Sequence, residues 1–240
     1  NSNFFVGKNC KENHLGGEKG MKVIDRIGNE KVRHVLQTLK YSLYVITHPL
    51  DGFWDLTHEK RGSVAAANII IALAILTKIW KLRFTSFQFI RVYWEHVNVL
   101  EQILGMLLPI IIGCIANWSL STLFDGKGTF KDIYMACGYA LTPYVLIQLP
   151  MIFISNIIAY DEGAFYTYII GFSAIWCGML FMSAMMMVHD FSLGKALLVM
   201  AATLVGVMVI VFLLLLLFSL ISDAVAYFVS LYKEIVFRLY

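Results

Sequence analysis

Charged side chains are scarce in this sequence. Asp, Glu, Lys and Arg make up 15% of its 240 residues, whereas 59% of the residues are hydrophobic. A typical soluble domain has about 25% charged and about 45–50% apolar residues. A water-soluble fold of this composition would lack the polar side chains needed to cover its surface. The composition therefore excludes an ordinary soluble domain and favours a membrane protein.

Motifs for catalysis, metal binding and nucleic-acid binding are also missing. The four cysteines form no CxxC pair, and no histidine stands at zinc spacing. The HEKRG segment that begins at His58 is not an HExxH motif, and the GKG segment at 126–128 lacks the flanking pattern of a Walker loop. No GxSxG nucleophile pattern occurs. The sequence predicts no enzymatic activity, no cofactor, no metal site, no nucleic-acid partner and no obligatory small molecule.

Five apolar runs dominate the rest of the chain. At 1.5 Å per residue, a helix needs about 20 apolar residues to cross a hydrocarbon core about 30 Å thick. The first run is shorter than this and relies on Lys78 and Lys81 to reach the headgroups. The sequence predicts an all-α, polytopic integral membrane bundle with spans at Val64–Trp80, Ile103–Phe124, Ile133–Ala159, Ala164–Val188 and Leu193–Ile221.

Apart from Lys195, the third residue of span five, spans two to five contain no Asp, Glu, Lys, Arg or His. Proton-coupled carriers generally place such residues inside the bundle, so this class is disfavoured. The few polar residues inside these spans are predicted to form hydrogen bonds between helices: Asn117, Thr142, Gln148 and Asn156. Three prolines are predicted to kink the helices: Pro109, Pro143 and Pro150. Such kinks leave a passive pore open as an alternative.

The regions outside the spans divide the chain further. Residues 1–29 are predicted to be a flexible polar leader, 30–62 an amphipathic helix followed by an aromatic loop, 63–222 the membrane domain, and 223–240 an interfacial C-terminal helix rich in Tyr and Phe. The amphipathic helix carries apolar residues from Val32 to Ile46 at helical spacing. It is expected either to lie flat on anionic lipid or to pack on one end of the bundle.

The distribution of basic residues predicts the orientation. Ten of the 19 lysines and arginines precede the first span, and three more lie between spans two and three or at the start of span five. The other six lie on the opposite side. This asymmetry predicts a cytoplasmic N-terminus and an external C-terminus.

Two segments on the predicted cytoplasmic side combine aromatic, charged and turn-forming residues. The first, 48–63, contains a proline expected to stop the preceding helix and an Asp-Gly pair expected to form a turn. The second, 123–150, begins with another Asp-Gly turn. We predict that both contribute to partner docking through Asp51, Phe53, Trp54, Lys60, Arg61, Asp125, Lys127 and Phe130.

The His189-Asp190 pair at the end of the fourth span has two interpretations. A neighbouring carboxylate can orient an imidazole or raise its pKa, as in a proton relay. The pair also suits a helix terminus followed by a turn.

The second segment and the five-span pattern resemble the Yip family of membrane proteins, which is named for interaction with Ypt and Rab GTPases in eukaryotes. The residues that carry the resemblance are Asp125-Gly126, Gly128, Phe130, Gly138-Tyr139, Pro143 and Pro150. Three groups in the first segment resemble the sequence that precedes the domain in a bacterial branch: His48-Pro49, Gly52-Phe53-Trp54 and His58-Glu59-Lys60-Arg61-Gly62.

The resemblance implies a cytoplasmic N-terminus and a non-catalytic adaptor or membrane-organising role. It implies a bacterial plasma membrane and, because similar bacterial proteins tend to occur beside sugar-importing ABC transport systems, an accessory subunit of such a transporter. The expected partners are the lipid bilayer and other membrane proteins, with ABC transporter subunits among them. A small passive transporter or channel is the alternative, and a Rab-type trafficking adaptor is a further alternative in a eukaryotic cell.

Overall fold

A computed structural model describes residues 37–89 and 97–239. The prediction of an all-α membrane bundle is confirmed: the described residues form helices and no strand. Helix α1 covers 37–47. The others are α2 (Pro49–His58), α3 (Val64–Phe84), α4 (Val99–Leu123), α5 (Phe130–Ala140), α6 (Thr142–Ile154), α7 (Gly163–His189) and α8 (Leu193–Leu239). The predicted leader, 1–29, lies outside the described residues.

The predicted aromatic loop is mostly a helix. Pro49 occupies the first turn of α2, where its fixed φ fits a helix and its missing N–H costs no hydrogen bond. The predicted turn at Asp51 and Gly52 is therefore wrong. Gly52 lies where α2 crosses α1, and a Cβ there would lie 2.9 Å from the Cα of Val45. The glycine permits this close approach between the two helices.

Five helical segments in the described part of the chain are long and apolar enough to cross a membrane. They are Val64–Phe84, Val99–Leu123, Phe130–Ile154, Gly163–His189 and Leu193–Arg238. The third is interrupted at Leu141, and Pro143 lies in the first turn of the helix that follows. Pro109 and Pro150 lie inside α4 and α6, where the predicted kinks stay a prediction.

The main core lies where α2, α3, α5 and α7 meet. Its largest fully buried side chains include Phe53, Leu56, Ile133, Tyr139 and Leu180. Small residues bring α3 close to α5, since a Cβ on Gly138 would lie only 2.7 Å from the Cβ of Ala67. Residues 37–47 of the predicted amphipathic helix form α1, whereas its first part, 30–36, lies outside the described residues. Tyr139 donates a hydrogen bond of 3.4 Å to the backbone carbonyl of Thr38 in α1.

Helix α8 differs from the prediction of a span ending at Ile221 and a separate interfacial helix after it. It is one unbroken helix of 47 residues. Its length is about 70 Å, roughly twice the thickness of a hydrocarbon core. The helix continues because no glycine or proline follows Gly206. Its first turns reach the core through Ala196 and Val199, whereas residues 211–238 are exposed in the isolated chain.

Candidate docking site

The loop between α4 and α5 has a defined conformation. Asp125 adopts a positive φ of 56°, and the N–H of Gly126 donates to the carbonyl of Ser121 at 2.8 Å, which closes the end of α4. Thr129 then caps α5: its hydroxyl accepts from the N–H of Asp132, whose carboxylate accepts from the N–H of Thr129. The loop is therefore held at both ends by local hydrogen bonds.

The middle of this loop rests on His189, whose side chain is buried. The N–H of Gly128 donates to Nδ1 of His189 at 3.2 Å, and Nε2 lies 3.1 Å from Oδ1 of Asn117. Because Nδ1 accepts a hydrogen bond, we assign the ring proton to Nε2, which then donates to Asn117. Both ring nitrogens of this neutral imidazole are satisfied inside the protein.

The hydrogen bonds continue from Asn117 into α8. Its Nδ2 donates to the hydroxyl of Thr203 at 3.2 Å, and that hydroxyl donates to the carbonyl of Val199 at 2.7 Å. The side chains of Asn117, His189 and Thr203 are all buried. We call these three residues, together with Gly128, the buried polar chain. It joins α4, α7, α8 and the α4–α5 loop, so it fixes the loop on the end of the bundle.

Asp190 connects the loop to the end of α2. It adopts a positive φ of 55° as the C-cap of α7, as the helix-terminus interpretation predicted. Its carboxylate pairs with Nζ of Lys127 at 2.9 Å and lies 3.8 Å from Nε2 of His58. The two segments predicted to dock a partner, which lie more than 60 residues apart in the sequence, therefore meet at one end of the bundle.

Seven of the eight residues predicted for docking are exposed at this end: Asp51, Trp54, Lys60, Arg61, Asp125, Lys127 and Phe130. We call this set the docking face. The eighth, Phe53, has 0% exposure and packs in the core, because it lies on the side of α2 that faces the bundle. Its predicted contact with a partner is corrected to a structural role.

Side-chain contacts hold parts of the docking face in place. Arg61 pairs with Glu59 at 2.6 Å and with Asp55 at 3.2 Å, although its own side chain is 54% exposed. Trp54 stacks on His58 with ring centroids 3.7 Å apart. Exposed ion pairs contribute little to stability. Their clearer effect is to limit the conformations of a guanidinium and an indole that remain accessible to a partner.

Helix α1 contacts α2 at Gly52. The hydroxyl of Tyr41 donates to the carbonyl of Gly52 at 2.9 Å. Burial raises the pKa of the Tyr41 phenol well above its usual range, and the negative charge of Asp55 adds to the increase. The phenol is therefore neutral and available as a hydrogen-bond donor at physiological pH.

A second group of polar contacts lies near the other end of α3. Nζ of Lys81 donates to Oε1 of Gln148 at 3.1 Å, and Nε2 of Gln148 donates to the hydroxyl of Ser173 at 3.3 Å. Nζ of Lys78 lies 3.5 Å from the carbonyl of Gln102. The ammonium groups of both lysines contact acceptors on neighbouring helices. That they also reach the lipid headgroups stays a prediction.

The polar residues predicted to join helices largely do so. Asn117 bonds to α8, Gln148 to α7, and Asn156 donates to the carbonyl of Phe84 at 2.8 Å. Thr142 bonds locally, to the carbonyl of Tyr139 at 2.6 Å. Three of these four side chains therefore join neighbouring helices, and one bonds within its own segment.

Sequence reasoning missed that the loop glycines contact His189. A Cβ on Gly126 would lie 2.8 Å from Nδ1 of His189, and a Cβ on Gly128 would collide with Cγ1 of Val188. The available signal was the repeated glycine of the GKG segment, which was compared with phosphate-binding loops and used for the family resemblance, but was not interpreted as a point of close packing. No group of three His, Cys, Asp or Glu side chains suited to a metal ion occurs within 37–89 and 97–239.

Comparison with known proteins identifies the region that carries this site. A family model described as the Yip1 domain matches residues 43–222, which is three quarters of the chain. The matched region includes α2, the α4–α5 loop and the buried polar chain. No curated protein matches the sequence, and no solved structure matches it.

Proposed function

Since the chain belongs to the Yip1 domain family, we propose that it is a non-catalytic membrane scaffold or accessory subunit that binds a partner membrane complex through the docking face. The chain is an integral membrane protein of this family. The observation that carries the proposal is the contact of Asp190 with both Lys127 and His58, which joins the two predicted docking segments into one surface.

The composition of the docking face fits protein recognition. Trp54 is 43% exposed and Phe130 is 39% exposed, and both lie among charged side chains of both signs. Tryptophan and arginine are the residues that most often dominate the energy of protein interfaces. An exposed indole stacked on His58, with a guanidinium held by two carboxylates nearby, provides such anchors before a partner binds.

The excess of basic residues before the first span supports a cytoplasmic position for the docking face and an external C-terminus. The proposed partner is a sugar-importing ABC transporter in a bacterial plasma membrane. The support for this partner is the resemblance of the segment around α2 to the sequence that precedes the domain in bacterial relatives.

Co-purification from native membranes tests the proposal. The tagged chain is extracted in a mild detergent, and co-eluting proteins are quantified by mass spectrometry against Trp54→Ala and Arg61→Ala variants. We expect a stoichiometric membrane complex with the wild type and at least a tenfold loss with either variant, since interface anchors contribute about 2 kcal/mol or more. Trp80→Ala, an exposed tryptophan near the other end of α3, is the matched control.

Unchanged co-elution with both docking-face variants would contradict the proposal, provided that each elutes as a folded monodisperse protein. Solute flux through the purified protein alone in liposomes would instead support the passive transporter. A co-eluting Rab-type GTPase from a eukaryotic membrane would support the trafficking adaptor.

A further inference from the structure

A groove lies between α1 and two membrane-spanning segments, away from the docking face. Its volume is about 370 Å³. The apolar part of its lining comes from all three helices: Leu39 and Leu43 of α1, Ile70 and Leu73 of α3, and Val145 and Leu146 of α6. Ligand pockets in proteins have volumes of roughly 300–1,000 Å³, so this groove is large enough for part of a lipid molecule.

The groove opens sideways from the bundle. Leu43 and Leu146, on opposite walls, are 49% and 46% exposed, whereas Ile70 at the base is 2% exposed. In an integral membrane protein, a lateral opening beside two spans faces the bilayer rather than water. The surrounding lipid therefore has direct access to the base of the groove.

The position along α3 places the groove in one leaflet. Ile70 and Leu73 are six and nine residues from the start of α3 at Val64. At 1.5 Å per residue, this corresponds to a depth of about 9–14 Å, within the half-thickness of a hydrocarbon core about 30 Å thick. Acyl chains, rather than headgroups, occupy this depth.

The two hydroxyl groups in the described lining already donate hydrogen bonds to backbone carbonyls. The hydroxyl of Ser42 donates to the carbonyl of Leu39 at 2.7 Å, and the hydroxyl of Thr142 donates to the carbonyl of Tyr139 at 2.6 Å. A polar ligand would find few free partners in the groove, and its burial there would carry a desolvation cost. The lining therefore selects an apolar ligand.

Among the described residues that line the groove, Lys40 carries a charge. It is exposed and forms no ion pair with any residue of 37–89 or 97–239. Its long apolar stem lets the ammonium group extend from the groove towards the membrane surface. A ligand with an apolar tail and an anionic head would match both the lining and this cation.

We propose that the groove between α1, α3 and α6 binds one acyl chain of an anionic phospholipid from the bilayer, with the phosphate of the headgroup at Lys40. The bound lipid fills the space between α1 and the two spans. It would anchor α1, and through Tyr41 and Gly52 the docking helix α2, to the membrane domain. The inference is independent of which protein binds the docking face.

Native mass spectrometry of the full chain in mild detergent tests this site. The protein is titrated with phosphatidylglycerol or phosphatidylcholine that carry identical acyl chains. We expect the first phosphatidylglycerol to bind more tightly, and Lys40→Gln to reduce this preference about fivefold, the factor for one cation near anionic lipid. Lys131→Gln, an exposed lysine of α5 outside the groove, should retain the wild-type preference.

A second variant tests the acyl-chain part of the site. Leu146→Trp places an indole in the groove and should reduce binding of both lipids at least tenfold. Leu104→Trp is the control, because Leu104 is a similarly exposed leucine on α4. Thermal unfolding of both variants confirms that each is folded before lipid binding is compared.

Four results would overturn the proposal. They are equal binding of the two lipids by the wild type, an unchanged preference in Lys40→Gln, a disulfide in the double variant Val35→Cys/Leu146→Cys, and a wild-type dimer that Leu146→Trp dissociates. The disulfide would assign the groove to the preceding segment of the same chain. The dimer would assign it to a second copy of the chain.

Discussion

Replacing Gly128 by alanine should loosen the α4–α5 loop from the bundle. The φ of Gly128 is not positive, so its backbone conformation accepts alanine. The space around Gly128, however, has no room for a methyl group. The new Cβ would collide with Cγ1 of Val188 and would lie 2.8 Å from Cε1 and 2.9 Å from Nδ1 of His189. None of these atoms is the end of a long flexible side chain, so the loop itself must move.

The expected destabilisation has two sources. Overpacking of this kind costs about 1–3 kcal/mol. The movement also breaks the 3.2 Å hydrogen bond from the N–H of Gly128 to His189, and an unpaired buried acceptor costs about 1–3 kcal/mol. Because one displacement relieves the collision and breaks the bond, we expect a combined loss of about 2–4 kcal/mol. For a chain of this size, this lowers the unfolding midpoint by about 5–15 °C.

Thermal unfolding in detergent, followed by a thiol-reactive dye, measures this change. Cys114 has 0% exposure and becomes reactive when the bundle opens. Gly178→Ala is the matched control, since a Cβ there meets no atom within 4 Å. An unfolding midpoint for Gly128→Ala within 2 °C of the control would refute the argument that the loop is packed tightly on His189.

Two further variants test other contacts. Gly138→Leu should separate α3 from α5, because even a Cβ at this position would lie 2.7 Å from the Cβ of Ala67. The unfolding midpoint of this variant should fall well below that of Gly171→Leu, where a Cβ meets nothing within 4 Å. Equal midpoints for the two variants would count against this contact. Folding raises the pKa of Tyr41, so its neutral form contributes stability below about pH 10, and this contribution declines as the pH rises further. The stability difference between wild type and Tyr41→Phe should therefore be constant below pH 10 and shrink above it; a constant difference up to pH 11 would be inconsistent with the raised pKa.

The spans were predictable because lipid imposes a simple rule. A helix that crosses hydrocarbon must be apolar over about 20 residues, and this pattern is visible in any one segment without knowledge of the others. The predicted fourth span, Ala164–Val188, differs from α7 by one residue at each end. The prediction for the last helix was less accurate. Asp223 interrupts the apolar run without interrupting the helix, since a single carboxylate does not break the backbone hydrogen bonds.

The docking face was predictable only in part. The composition identified both segments that form it, and the side chains of Trp54 and Arg61 are exposed, as a partner-binding role requires. The sequence could not show that Phe53 faces inwards, because the prediction treated Pro49 as a stop and the residues after it as a loop. Pro49 lies in the first turn of a helix. In a helix, Phe53 and Leu56 are three residues apart and therefore lie on the same side, which is the buried side of α2.

The sequence by itself determined that the chain crosses a membrane, how many apolar helices it has and which segments between them are rich in interaction residues. These properties depend on local composition and on the uniform requirements of lipid. Only the tertiary structure determined that His189 bonds to Gly128 and Asn117, and that Asn117 bonds in turn to Thr203. It also determined that α1 forms a groove with α3 and α6. The three hydrogen bonds join residues 61, 72 and 86 positions apart, and the packing of the helices decides which residues meet.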